Sequence, residues 1–240
     1  MKKSVNLILV GILVITVLLG AGTGIYLSDY YHADADAHAA LASSDGYTVT
    51  VTQDMAVFSP ALPEAGLIFY PGGKVEYTAY APLMAELAKH NMLCIIHKMP
   101  GNLAVLNSDA AHGIAQQYPL VDCWYIGGHS LGGSMAAAYI ADHQEDFSGL
   151  VLLASYSTSD FAESDLRVLS LVGTEDGVLN RKSYEKYRDN LPENTTEIYI
   201  EGGNHAFFGS YGAQDGDGKA ILSPQEQTEL TAKYILEFIS

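Results

Sequence analysis

The sequence predicts an α/β domain built on a mostly parallel central sheet with helices packed on both faces. Three observations carry this. Continuous apolar runs of strand length recur at Gly66–Tyr70, Met92–His97, Leu150–Ala154 and Val168–Val172. Segments with helical apolar spacing separate them. Glycine-rich or acidic turns follow several of these runs, at the sheet edge where α/β folds place their reactive groups.

The elements follow in order. Tyr47–Thr52 alternates Tyr or Val with Thr, as a strand with one buried face does. Met55–Phe58 reads as a second short strand, stopped by Pro60 and Pro63. Gly66–Tyr70 is apolar throughout and fits a central strand buried on both faces. Tyr80, Leu83, Met84, Leu87 and Ala88 fall on one helical face, and Met92–His97 returns to the sheet. A helix over Ser108–Tyr118, a strand at Cys123–Ile126, a helix over Leu131–Asp142 and a strand at Leu150–Ala154 come next. Val168–Val172 forms a strand, Arg181–Asn190 a helix and Glu197–Ile200 the last strand. Ser223-Pro224-Gln225-Glu226 combines a capping box with proline at the first helical position, and Leu230, Tyr234 and Phe238 recur at spacing four behind it. There is no internal repeat and no second folded domain, so residues 46–240 read as one unit.

The first 45 residues have a different composition. From Val5 to Leu27 no charge appears, after Lys2 and Lys3. At 1.5 Å per residue that run can cross ~30 Å of hydrocarbon. Basic residues before it and acidic residues after it place the N-terminus in the cytoplasm and the bulk of the chain outside. Residues 1–28 are therefore expected to be a single-pass membrane anchor, with a cleaved signal peptide as the rival that also exports the domain. Residues 29–45, rich in Ala, Asp, His and Ser, read as a tether.

The chain has 240 residues and a net charge of −16. Setting aside Lys2 and Lys3 leaves 10 basic against 28 acidic residues, or −18. A nucleic-acid partner needs a basic face and is excluded. Cys94 and Cys123 lie in apolar, strand-like runs and read as small buried hydrophobes. No metal-ligand spacing, Walker loop or dinucleotide fingerprint is present, so no metal and no cofactor is expected. Asp215–Glu226 (DGDGKAILSPQE) carries acids at loop positions one, three and twelve. Lys219 at five and Ala220 at six, where glycine is required, exclude a calcium loop.

The reactive residues gather around WYIGGHSLGGSM, residues 124–135. Gly128-His129-Ser130-Leu131-Gly132 is a G-x-S-x-G pattern between a buried strand and a helix, the setting of a nucleophile elbow. Such a turn is strained, and side chains two residues before or after the serine would collide with neighbouring backbone. A serine hydroxyl needs a histidine base oriented by a carboxylate, here in the chain order serine, acid, histidine. His205, in the glycine-rich loop EGGNHAFFG after the last strand, is the base. Asp176, in GTEDGV after Val168–Val172, is the acid, with Glu175, Asp160 and Asp165 as rivals. Two backbone N–H groups should hold an oxyanion: that of Leu131 and one from Tyr70-Pro71-Gly72-Gly73-Lys74, with Gly73 favoured over Gly72 and Lys74.

YPGG, GHSLGG, GTEDG and GGNH, in this order across Tyr47–Ser240, resemble the α/β-hydrolase family. The chain looks most similar to small exported members grouped with the dienelactone hydrolases, although Ser130 stands where those often carry cysteine. The resemblance implies a serine hydrolase acting on a small-molecule acyl substrate, most simply a carboxylic ester. It also implies a strand order that sets Gly66–Tyr70 between the strands of Cys94 and Cys123, which keeps the two thiols too far apart to pair. Only Ser155–Asp165 is available where many relatives insert a helical lid, so the pocket is expected to be open. A non-catalytic binding protein, or an envelope acyltransferase with an acceptor other than water, would use the same scaffold.

Overall fold

The computed structural model describes Thr16, Gly20, Gly22, Gly24, Tyr26 and residues 28–240. The expected membrane anchor therefore falls mostly outside the described residues, among which no helix is long and apolar enough to cross a membrane. Residues Tyr31–Ser240 form one compact unit.

Eight strands build one sheet: β1 (Tyr47–Val51), β2 (Met55–Pro60), β3 (Ala65–Tyr70), β4 (Met92–His97), β5 (Trp124–His129), β6 (Gly149–Leu153), β7 (Val168–Gly173) and β8 (Thr196–Ile200). Their order is β1-β2-β4-β3-β5-β6-β7-β8. β1, β2 and β4 pair antiparallel, and every pairing from β4 through β3 to β8 is parallel. β3, β4, β5, β6 and β7 are buried along their whole length, which is why their sequences are apolar without alternation. One core, under helices α2 (Ala81–Ala88) and α5 (Pro224–Ile239), includes Leu67, Phe69, Met84 and Ile235. A second, on the face of α3 (Leu131–Ile140), includes Ile68, Ile95, Ile126 and Ala136. The capping box expected at α5 is formed between Ser223 and Glu226.

The structure corrects four expectations. No α-helix covers Ser108–Tyr118; the segment is a series of turns with one short 3-10 turn at Ala115–Gln117. Gly113 has φ 73°, which a helix does not allow, and the Tyr70 hydroxyl ties the backbone elsewhere by donating to Ser108 O and accepting from Ala111 N. The helix expected over Arg181–Asn190 is α4 (Arg181–Lys186) followed by a 3-10 turn at Arg188–Asn190. Cys123 is exposed at the residue before β5, whereas Cys94 is buried. β3 does lie between β4 and β5, and both thiols are free. The segment read as a tether is docked from Tyr31 onward. Tyr31 pairs with Val75, and Asp34 caps the short helix α1 (Ala35–Ala40), accepting from Ala37 N at 3.0 Å. Ala33 and Ala37 are buried: small residues that look like linker in the sequence are small enough to pack.

The loop from β6 to β7, residues 154–167, contains no helix, so no lid rises there. His97 ends β4 with its Nε2 buried and unpartnered. Burial pushes its imidazole pKa down to about 4, the nearby Asp54 charge opposing this only in part. In the unfolded chain it titrates near ~6.5. The unfolded chain thus takes up the proton first, and stability conferred by the neutral ring above that pH is lost as pH falls from ~6.5 to about 4. The share of His97 is about 3 kcal/mol. Unfolding free energies from urea titrations at pH 7 and pH 4 should show the wild type losing about that much more than His97→Gln; equal losses would contradict the assignment.

Candidate active site

β5 delivers Ser130 to the carboxyl edge of the sheet, between His129 and the first turn of α3. Its backbone has φ 51° and ψ −121°, outside the ordinary range of an L-residue. Such a conformation costs on the order of 1–3 kcal/mol and persists only where the surroundings over-determine it. Here Ser130 N donates to Leu153 O at 2.9 Å, and Ser155 Oγ donates to Ser130 O at 2.7 Å. The flanking glycines are steric necessities. A Cβ on Gly132 would lie 2.2 Å from Tyr70 O and 2.3 Å from Pro71 O, and one on Gly128 would lie 2.5 Å from Gly132 C.

Asp176 follows β7 and His205 follows β8, neighbouring parallel strands. The two side chains are buried and joined through His205 Nδ1 and Asp176 Oδ2 at 2.8 Å. Asp176 Oδ1 accepts the Val178 and Leu179 N–H groups at 2.9 and 2.8 Å. Burial alone would raise the Asp176 pKa. The hydrogen bond and charge of His205, with the two backbone donors, outweigh it and hold the carboxyl below its ordinary range. The rivals are engaged elsewhere: Glu175 accepts from Thr174 Oγ1, Asp160 accepts from Ala162 N, and neither these nor Asp165 ion-pairs with His205. The His205 ring lies 4.4 Å, centroid to centroid, from the ring of His129, the residue beside Ser130. The Ser130–His205 hydrogen bond itself is not formed in this structure.

The loop after β3 brings the other backbone donors. Gly72 N donates to the Tyr80 hydroxyl at 2.9 Å, and Lys74 N donates to Asn102 O at 2.8 Å. Both alternatives to Gly73 are thereby occupied. The Gly73 backbone lies against Leu131, with the position of a Cβ only 3.1 Å from Leu131 Cδ2. The Leu131 N–H opens the first turn of α3, where no intrahelical acceptor exists.

Four supporting residues have no role assigned from the sequence. Tyr80 Oη holds Gly72 and makes a 2.8 Å hydrogen bond with His129 Nδ1. Burial, and then the neighbouring His205, depress the His129 pKa well below its ordinary value, so this ring stays neutral. Gln227 on α5 accepts from Asn204 N at 2.9 Å and donates to Asn204 O at 2.8 Å, bracing the His205 turn. Ser155 backs the elbow. Only Gln227 left a trace in the sequence, as a polar residue among the core-facing positions of an amphipathic helix.

This geometry defines an α/β hydrolase: a serine on a strained strand–helix turn after β5, with an acid–histidine pair on the loops after β7 and β8 of the same sheet. The chain belongs to the alpha/beta hydrolase family, whose model matches residues 66–229. Solved structures share the fold. Est1E from Butyrivibrio proteoclasticus superposes with a TM-score of 0.59 at 14% identity, covering 81% of this chain and 99% of that one. Est1E with ferulic acid bound gives 0.60 at 13% identity, over 82% and 98%. A "predicted CIB-like hydrolase" from Thermoplasma acidophilum gives 0.56 at 13%, over 80% and 97%. No curated protein matches the sequence.

A methyl at Gly132 meets rigid backbone, whereas one at Gly46 meets nothing within 4 Å. Gly132→Ala should therefore lower stability by about 3 kcal/mol or more. Gly46→Ala should stay within about 0.5 kcal/mol of wild type. Urea unfolding of the two variants checks the difference.

Proposed function

We propose that the domain is a serine hydrolase that cleaves carboxylic esters through an acyl-enzyme on Ser130. The observation that carries this reading is the buried Asp176–His205 pair at 2.8 Å, on the loops beside a serine held at φ 51°. A solvated acidic loop residue has no reason to be buried against a histidine and fed by two backbone N–H groups.

In the proposed reaction Ser130 Oγ attacks the acyl carbon as His205 Nε2 takes its proton. Asp176 keeps the other ring nitrogen protonated and stabilises the imidazolium. The tetrahedral oxyanion lies against the Leu131 and Gly73 N–H groups, and losing one such donor typically costs ~2.7–4 kcal/mol of barrier. The alcohol leaves with the proton from His205. Water, activated by the same nitrogen, then releases the acid and restores Ser130. The Ser130–His205 contact closes when substrate is bound, as catalytic hydrogen bonds often do. The absence of a helical lid between β6 and β7 supports an open site for small soluble esters rather than interfacial activation. The uncharged Val5–Leu27 run supports an anchor that holds the domain on the outer face of a cell membrane.

Hydrolysis of p-nitrophenyl esters of graded chain length by the full-length chain tests the reading. Ser130→Ala and His205→Gln should each lower kcat by on the order of 10⁴ or more, and Asp176→Asn by about 10⁴. Activity retained in folded Ser130→Ala would overturn it.

A further inference from the structure

The one acidic motif that the triad does not absorb, DGDG at residues 215–218, lies against both catalytic loops. Asp217 Oδ1 accepts from Gly177 N at 3.0 Å and from His205 N at 3.3 Å, and Oδ2 accepts from Ala206 N at 2.8 Å. A fourth bond, from Gly218 N at 2.8 Å, fixes the carboxylate to its own turn. Gly177 is the residue after the acid and His205 is the base, so one side chain joins the two turns that must stay in register. The loops interleave too tightly for larger residues. A Cβ on Gly218 would lie 1.8 Å from Glu175 O, and one on Gly177 would lie 2.7 Å from Gly216 O. Asn204 Nδ2 donates to Gly218 O at 3.0 Å, closing the arrangement from the histidine side.

We propose that Asp217 is a positioning residue that locks the acid turn to the histidine turn and so sets the reach of His205 toward Ser130; the proposal rests on the serine-hydrolase reading above. The chemistry requires a carboxylate. Four backbone donors converge on it, and only an ionised carboxyl presents two acceptor oxygens with no donor of its own. An asparagine offers one oxygen and aims its NH₂ at an N–H group. With the register loosened, His205 swings relative to Ser130, and a displacement near 1 Å is enough to lower turnover by about 10². Substrate binding does not depend on that register.

The test compares wild type, Asp217→Asn and Asp215→Asn in the full-length chain. The last makes the same charge change two residues away, at a side chain outside the cluster. Asp217→Asn should lower kcat for ester hydrolysis 10- to 100-fold, with KM within about twofold of wild type. It should slow Ser130 phosphonylation at saturating probe by the same factor and remove the downfield Nδ1 proton resonance of His205. Asp215→Asn should match wild type in all three. Unchanged kcat per folded molecule in Asp217→Asn, even with lowered stability, would reduce Asp217 to a structural role and overturn the proposal. Should the variant not fold, hydrogen exchange of the wild type decides: protected Gly177, His205 and Ala206 amides support the lock, and free-loop exchange rates overturn it. A wild type that neither cleaves esters nor labels would instead sink the hydrolase reading, an outcome distinct from an active wild type with an equally active Asp217→Asn.

Discussion

The backbone of Ser130, at φ 51° and ψ −121°, is the constraint on which the rest of the site depends. A serine does not hold this conformation unaided. It is imposed by a buried central strand entering from one side, a helix leaving on the other, and backbone passing so close that Gly128 and Gly132 admit no Cβ. Hydrogen bonds from Ser130 N to Leu153 O and from Ser155 Oγ to Ser130 O tie the turn to the neighbouring strand and the loop after it. The strain is thus stored in the sheet, and its result is a half-buried Ser130 at the sheet edge, followed by Leu131 at the start of α3.

The loops around that turn are fixed chiefly by polar contacts. Tyr80 and Asn102 take the N–H groups on either side of Gly73. Gln227 brackets Asn204, and Asp176 is fed by Val178, Leu179 and His205. Buried networks of this kind rigidify, because each broken bond leaves a polar group stranded in low dielectric; among the described residues, His129 Nε2 is the buried atom around this site that has no partner. His129 takes part without being charged: burial, with His205 beside it, keeps its ring neutral.

Patterns that report burial were legible in the sequence. β3 to β7 are apolar because both faces are covered, and the order of the loop motifs followed from the parallel topology. Ser130 and Asp176 stood out because each follows a buried strand, and His205 because it follows the last strand, in the chain order serine, acid, histidine. Gly72, Gly73 and Lys74 could not be told apart in the sequence, because the Tyr80 and Asn102 acceptors that engage the Gly72 and Lys74 N–H groups come from farther along the chain. Residues 108–118 looked helical because local apolar spacing cannot reveal that the Tyr70 hydroxyl, 38 residues away from Ser108, claims their backbone. Tyr80, His129 and Ser155 act through contacts across the fold and carry no local signature. Ala33 and Ala37 were misread because small residues serve equally in linkers and in close packing.

The account turns on whether Ser130 is an activated nucleophile. The most direct measurement is the intact mass of the full-length chain after exposure to a fluorophosphonate, wild type beside Ser130→Ala. A single covalent adduct on the wild type, mapped to Ser130 and absent from the variant, is the predicted result. A folded wild type that acquires no adduct, or a Ser130→Ala variant that labels equally, would contradict it.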